Sequence, residues 1–230
     1  DNLYVDQITA DYFEADGVVQ PGEEQEEAIS FTDLDGHWAQ DDIYELAKKG
    51  YLQGRGDGIF DPEGLVSVAE ISEMMAKALA LPKQAYNGFL QDVSGEEWFA
   101  NSLQAVYNSN IIDSNLLLGG KIEPNRPINR EEMASILVRS FRVSYGGVQI
   151  AGLGAPYEDI GQAEEWTRTY IDQAYELGLM QGVSGTVFEP KSNLTRAQAA
   201  TTLARFLKAI EPNVLTPPPT ADENRGAPDI

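Results

Sequence analysis

Across 230 residues, 37 acidic side chains face only 16 basic ones, and the net charge of -21 excludes a nucleic-acid partner, because phosphate binding needs concentrated Lys and Arg. The absence of Cys removes disulfides, thiolate metal sites and a cysteine nucleophile, and is compatible with an exported protein. No apolar run approaches the roughly 20 residues of a membrane helix, so no membrane insertion is expected, while 42% hydrophobic content is enough for a buried core.

Residues 1–30 open on Asp1 rather than Met and are rich in Asp, Glu and Gly, which predicts an acidic linker, with any signal peptide either removed or never included. A threefold repeat follows. Its markers are Trp38, Trp98 and Trp166, spaced 60 and 68 residues apart, each preceded by an aromatic or apolar residue and an Asp: Phe31 and Asp33, Leu90 and Asp92, Tyr157 and Asp159. A first helix is predicted from near each Trp, with apolar stripes at Ile43, Leu46 and Ala47, at Leu103, Val106 and Tyr107, and at Ile171, Ala174, Tyr175 and Leu177. Gly50, Asn110 and Gly178, residues that tolerate left-handed backbone, should end these helices ahead of an apolar pair. Pro62, Pro124 and Pro190 mark a second break. Second helices then open on Ser67, Asn129 and Thr195, each followed three residues later by Glu70, Glu132 or Gln198, the spacing of a capping box. Their stripes are Ile71, Met74, Met75 and Leu79; Met133, Ile136, Leu137 and Phe141; Ala199, Leu203, Phe206 and Leu207. The expected fold is all-α, with helix-loop-helix repeats at 31–88, 89–156 and 157–211 and a Pro-rich tail at 212–230. No repeat buries its apolar faces alone, so the three should pack together, most simply with one helix from each around a shared axis.

The aromatic-x-Asp start, the Trp, the Gly after the first helix and the Thr-Arg-Ala-Gln run at Thr195 together resemble the S-layer homology family, over about residues 31 to 210. The resemblance implies a pseudo-threefold spindle with three prongs, whose grooves hold secondary cell-wall polysaccharide, often bearing pyruvate ketals. It further implies a non-catalytic anchor at the bacterial cell surface or cell wall, bound to wall polysaccharide or a peptidoglycan-linked glycan, with no cofactor and no metal. The alternative is a protein–protein or lattice-assembly module, with self-assembly through regions outside this chain. The sequence departs from the family at Val68, where repeat 1 lacks the Arg kept as Arg130 and Arg196, and at Asn110 and Ser114, where repeat 2 lacks the usual Gly.

A cation in the first turn of a helix opposes the macrodipole, so each Arg needs a compensating partner. One candidate is Glu131 or another nearby acid; the other is an anionic ligand shared with the free N–H groups of the same helix start. Given the resemblance, Arg130 and Arg196 become ligand contacts, and a groove that depends on repeat 1 for its Arg is expected to be weak. Trp98 and Trp166 join the candidate set as sugar-stacking rings, although packing is expected to cover most of each Trp. Asp92 and Asp159 join it beside their reading as local turn or helix caps. Gly54 and Gly182 are included as places where backbone amides approach a ligand, beside their reading as tight turns. Arg55, Lys121 and Lys191 lie in the inter-helix loops, as groove cations or as solvated surface. The Arg55-Gly56-Asp57 tripeptide is ordinary turn chemistry, Asp33-Leu34-Asp35-Gly36 lacks the rest of a calcium loop, and the single His37 excludes a histidine-rich metal site.

Overall fold

The computed structural model describes residues 29–211, so the expected tail at 212–230 and nearly all of the acidic linker lie outside the described residues. Two helices fall in each repeat: α1 Gln40–Lys48 and α2 Val68–Ala78, α3 Ala100–Asn108 and α4 Arg130–Ser144, α5 Glu165–Glu176 and α6 Arg196–Ile210. Extended backbone among the described residues is confined to isolated bridges, and the all-α expectation holds.

Local chemistry sets the helix ends. Ser67, Asn129 and Thr195 each accept from the backbone N–H three residues on, and Glu70, Glu132 and Gln198 return the bond, giving three complete capping boxes. Gly50, Asn110 and Gly178 take φ of 74°, 56° and 67° and stop the first helices as expected. The next residue in each case turns its N–H back onto Leu46, Val106 or Ala174. The predicted stripes are buried or half-buried, except that Tyr175 is 43% exposed and meets Tyr157 edge-on instead of entering the core.

Pairing runs between repeats rather than within them. α2 packs on α3, α4 on α5 and α6 on α1, and α4 also meets α6. Each second helix therefore lies against the first helix of the next repeat, with the third repeat closing on the first. The backbone closes the same circle, with the bonds donated in the opposite sense. Val66 N–H donates to Leu194 O at 3.1 Å, Leu194 N–H to Ile128 O at 3.0 Å, and Ile128 N–H to Val66 O at 3.1 Å. All three side chains are buried.

The order of the helix pairs supplies the second helices with caps that no single repeat has. Val68 and Ala69 donate to Arg126 O and Pro124 O, Arg130 and Glu131 to Ser192 O and Pro190 O, and Arg196 and Ala197 to Gly64 O and Pro62 O. These are the helix-start N–H groups that would otherwise be orphaned. To present its carbonyl, each Pro follows a residue in left-handed backbone: Asp61 at φ 63°, Glu123 at 51° and Glu189 at 59°. Such a conformation costs a non-glycine residue about 1–3 kcal/mol, and a following Pro disfavours compact backbone further.

The repeated Asp holds this turn. Asp33 accepts from Phe60 and Asp61 N–H at 2.9 and 2.7 Å, Asp92 from Ile122 and Glu123 at 3.3 and 2.7 Å, and Asp159 from Phe188 and Glu189 at 2.9 and 2.7 Å. The expectation of local caps is corrected here, because the partners lie 27 to 31 residues downstream. Repeat 2 adds a link of its own. Buried Glu131 accepts from Glu164 N–H and the Thr167 hydroxyl at the start of α5, and from Lys191 Nζ at 2.7 Å.

Burial disfavours the ionised form of Asp33 and Asp159, but backbone N–H donors more than reverse this, and both carboxyls titrate below the ordinary 3.8. With the folded pKa below the unfolded one, their stabilisation is complete above about pH 4 and drains away as pH falls through the folded values. Urea midpoints should therefore drop as pH falls below about 4. The Asp33→Asn/Asp159→Asn double variant should start lower at neutral pH and lose less on acidification; equal acid losses in both proteins would contradict the assignment.

Candidate ligand-binding grooves

The circular order decides where each Arg works. Arg130, on α4 of repeat 2, reaches into the loop of repeat 3, where its Nε donates to Phe188 O and its Nη2 to Gln181 O, both at 2.6 Å. Arg196, on α6 of repeat 3, reaches into the loop of repeat 1, donating through Nε to Phe60 O at 2.9 Å, Nη2 to Gln53 O at 2.7 Å and Nη1 to Glu70 at 2.6 Å. Each guanidinium lies over an aromatic ring, 4.7 Å from the centroid of Phe188 and 4.5 Å from that of Phe60. Burial pulls both pKa values down, yet an arginine that starts so high stays charged.

The expected partners of the Arg divide. Arg196 does pair with an acid, Glu70 at 2.6 Å, whereas Glu131 pairs with Lys191 rather than Arg130, whose partners are carbonyls. The helix-start N–H groups are occupied by the neighbouring repeat's carbonyls and by the cap residues. An anion could meet the guanidinium but not the helix amides. The bonding leaves a difference between the two Arg: all three nitrogens of Arg196 are engaged, whereas Arg130 Nη1 has no partner among the described residues.

Two grooves result. Groove 1, a cavity of ≈ 310 Å³, lies between the Gln53–Gly54–Arg55 loop of repeat 1 and α2, with Trp98 of repeat 2 and Arg196 of repeat 3 on its walls. Arg55 and Lys77 add cations, and Glu70 and Glu73 oppose them; Arg55 pairs with Glu70 at 3.0 Å. Groove 3, ≈ 200 Å³, is its counterpart one step round: Gln181, Gly182 and Val183 of repeat 3, the α6 face at Gln198, Thr201 and Arg205, Trp38 of repeat 1 and Arg130 of repeat 2. Where groove 1 has Glu70, groove 3 has the neutral Gln198, so its lining holds two cations and no carboxylate. The buried Thr201 hydroxyl lacks a hydrogen-bond partner among the described residues.

The third position is filled. Here Val68 stands for the Arg and Ile122 for the Phe beneath it, both fully buried. Arg126 makes a two-pronged pair with Glu132 at 2.8 and 2.9 Å, and Arg139 pairs with Asp113, donates to Asn110 O and covers the Tyr170 ring at 5.0 Å. The loop of repeat 2 winds into a short turn at Ser114–Leu116. Thus Val68 leaves its gap opposite the loop of repeat 2, while the loop of repeat 1 faces Arg196.

The remaining candidates separate. Trp38 and Trp98 are 63% and 62% exposed, against the expectation that packing would cover most of each; Trp166 is half-buried and meets Tyr170 edge-on. Asp92 and Asp159 spend both carboxylate oxygens on the pre-proline turns. Gly54 and Gly182 are fixed by sterics. A Cβ on Gly54 would lie 2.6 Å from both Ile59 O and the Phe31 ring; on Gly182 it would lie 2.4 Å from Val187 O and 2.7 Å from the Tyr157 ring. Of the loop cations, Arg55 lines groove 1, while Lys191 is held by Glu131 and Glu164. Sequence reasoning missed Trp38 as a groove residue, together with Lys77 and Arg205. Their equivalence to Trp98 and to each other across repeats was the available signal.

These features define a module of interlocked helix-loop-helix repeats with cation-and-indole grooves. The S-layer homology domain family matches at residues 30–71, 91–134 and 156–200, and the chain belongs to that family, which makes it an extracellular module of cell-surface anchoring. It is 33% identical over 183 residues to the exoglucanase XynX of Acetivibrio thermocellus, covering 79% of this chain and 16% of that protein. It is 32% identical to the amylopullulanase of Thermoanaerobacterium thermosulfurigenes, over 78% of this chain and 10% of that protein. The S-layer protein of Bacillus thuringiensis subsp. finitimus is also 32% identical, over 76% of this chain and 21% of its own length. The chain thus matches a tenth to a fifth of these relatives.

Replacing Gly54 or Gly182 by Ala should cost about 1–3 kcal/mol of stability, through the overpacking that the Cβ distances imply. Ser114→Gly, in the open turn of repeat 2, should cost no more than about 1 kcal/mol. Thermal unfolding of the three variants checks the order.

Proposed function

We propose that this chain anchors a surface protein by holding an anionic secondary cell-wall polysaccharide, of the pyruvate-ketal type that the family resemblance implies, in grooves 1 and 3. No bond is made or broken in this reading. Its domains are the three repeats at 31–88, 89–156 and 157–211, standing as the prongs of a pseudo-threefold spindle; the closed circle of backbone bonds and helix pairs supports that arrangement.

The observation that carries the reading is the twofold occurrence of one constellation: a buried Arg fixed by loop carbonyls facing an exposed Trp across a cavity. An exposed indole gains nothing from the core, yet it suits the C–H face of a pyranose. The Arg cannot swing away, so its charge stands at a fixed place for a carboxylate. Groove 3, with Arg130 Nη1 unpartnered among the described residues and Arg205 beside it, is the better anion site. Groove 1 needs its ligand to displace or share Glu70. Gly54 and Gly182 contribute by keeping the loops close-packed, and Asp92 and Asp159 by holding the turns; Trp166 stays outside the binding set.

Trp38→Ala and Trp98→Ala test this with little risk to the fold, since both rings are largely exposed. Each should weaken binding to purified, protein-free wall sacculi by roughly 30-fold at its own groove, the size of an aromatic hot spot, and the double variant should release the module. Calorimetry with pyruvylated wall-polymer fragments should give two sites per chain, and one in each single variant. Unchanged binding in the double variant, with melting intact, would overturn the proposal. Retention on protein-coated walls alone would instead favour a protein–protein module. Because the overall negative charge repels the polymer while the groove cations attract it, added salt acts on the two in opposite directions and the net dependence should be shallow.

A further inference from the structure

Groove 1 does not end at its Trp. Trp98, Glu73 and Lys77 also bound a second cavity, of ≈ 450 Å³, which runs on between α2 and α3. Small side chains make the room, with Ala76 and Ala80 on one wall and Ser102 and Ala105 on the other.

The other two helix pairs fill this place. Counted from the caps Ser67, Asn129 and Thr195 and from the three Trp, the positions of Ala80 and Ser102 are Arg142 and Tyr170 in the α4–α5 pair. There Arg139 and Arg142 lie 5.0 and 5.5 Å from the Tyr170 centroid, and Arg142 donates to Gln173 at 2.8 Å. In the α6–α1 pair they are Lys208 and Asp42, which face each other at 3.9 Å. The opening belongs to one helix pair and joins directly onto one groove.

We propose that this cavity is a second sugar subsite, so that groove 1 takes at least two consecutive residues of the wall glycan, with the Trp98 ring between them and an acidic group of the second residue beside Lys83. The cation is assigned by elimination. Lys77 is tied to Glu73 at 3.1 Å, and Glu73 also accepts from the Ser102 hydroxyl, whereas Lys83 is exposed and pairs with no carboxylate among the described residues. An indole 62% exposed and shared by two cavities offers each sugar an apolar contact. The inference rests on glycan binding in groove 1.

Calorimetry on the full chain with a pyruvate-ketal hexosamine methyl glycoside, and with acidic di- and trisaccharides carrying the same terminal residue, tests it. The Trp38→Ala background confines the reading to groove 1. Affinity should rise about tenfold or more from the monosaccharide to the trisaccharide. Lys83→Glu should remove the gain, and so should Ala80→Arg/Ser102→Tyr, which imports the filling of the α4–α5 pair, while both leave monosaccharide affinity unchanged. If length makes no difference, or if both variants keep the gain with melting intact, the second subsite is wrong and groove 1 stands. If none of the sugars binds, the groove reading falls and the subsite with it.

Discussion

A helix cannot satisfy its own first N–H groups, and in this chain the second helix of every repeat begins where water has little access. Each unmet donor buried there would cost about 1–3 kcal/mol. Of the four acceptors needed, two come from the Pro turn of another repeat and two from the local capping box. The remaining architecture follows from that demand. The Pro must present its carbonyl, so the residue before it goes left-handed, and an Asp some thirty residues upstream holds the turn in place.

The same turns carry the grooves. By placing the loop of one repeat over the helix start of another, the circle brings an Arg, the aromatic ring beneath it and a Trp from three different repeats together at one groove. Binding chemistry is thereby a property of the junctions. It also explains why one junction is closed: Val68 and Ile122 have replaced the Arg and the Phe, and Arg126 and Arg139 turn their charge onto Glu132 and Asp113. An ion pair within the protein there takes the place that a ligand would have.

Local features were legible in the sequence because they are written within one turn of helix. The three capping boxes, the left-handed helix ends and nearly all apolar stripes depend on neighbours three or four residues away. Handing the loop of one repeat to the helix of another leaves no mark in spacing. For that reason Val68 pointed to a weak repeat 1, when the gap it leaves lies over the loop of repeat 2. Trp38 and Trp98 misled because an indole beside a core helix packs in most proteins, whereas these two stand largely exposed at the grooves. Asp33, Asp92 and Asp159 look like local caps until the turn they hold comes round to meet them.

The bond between Arg196 and Gln53 joins residues 143 positions apart. In an open solenoid each added repeat brings its own increment of stability, and the array can fray from its ends. A closed circle has no such gradation. Removing one repeat leaves a helix start without acceptors and a loop without a helix to cap, so the penalty falls on the two that remain. Folding must complete its longest loop before the last junction forms, which raises contact order and slows the final step. Once closed, no terminal repeat is free to peel away, a useful property in a tether under load.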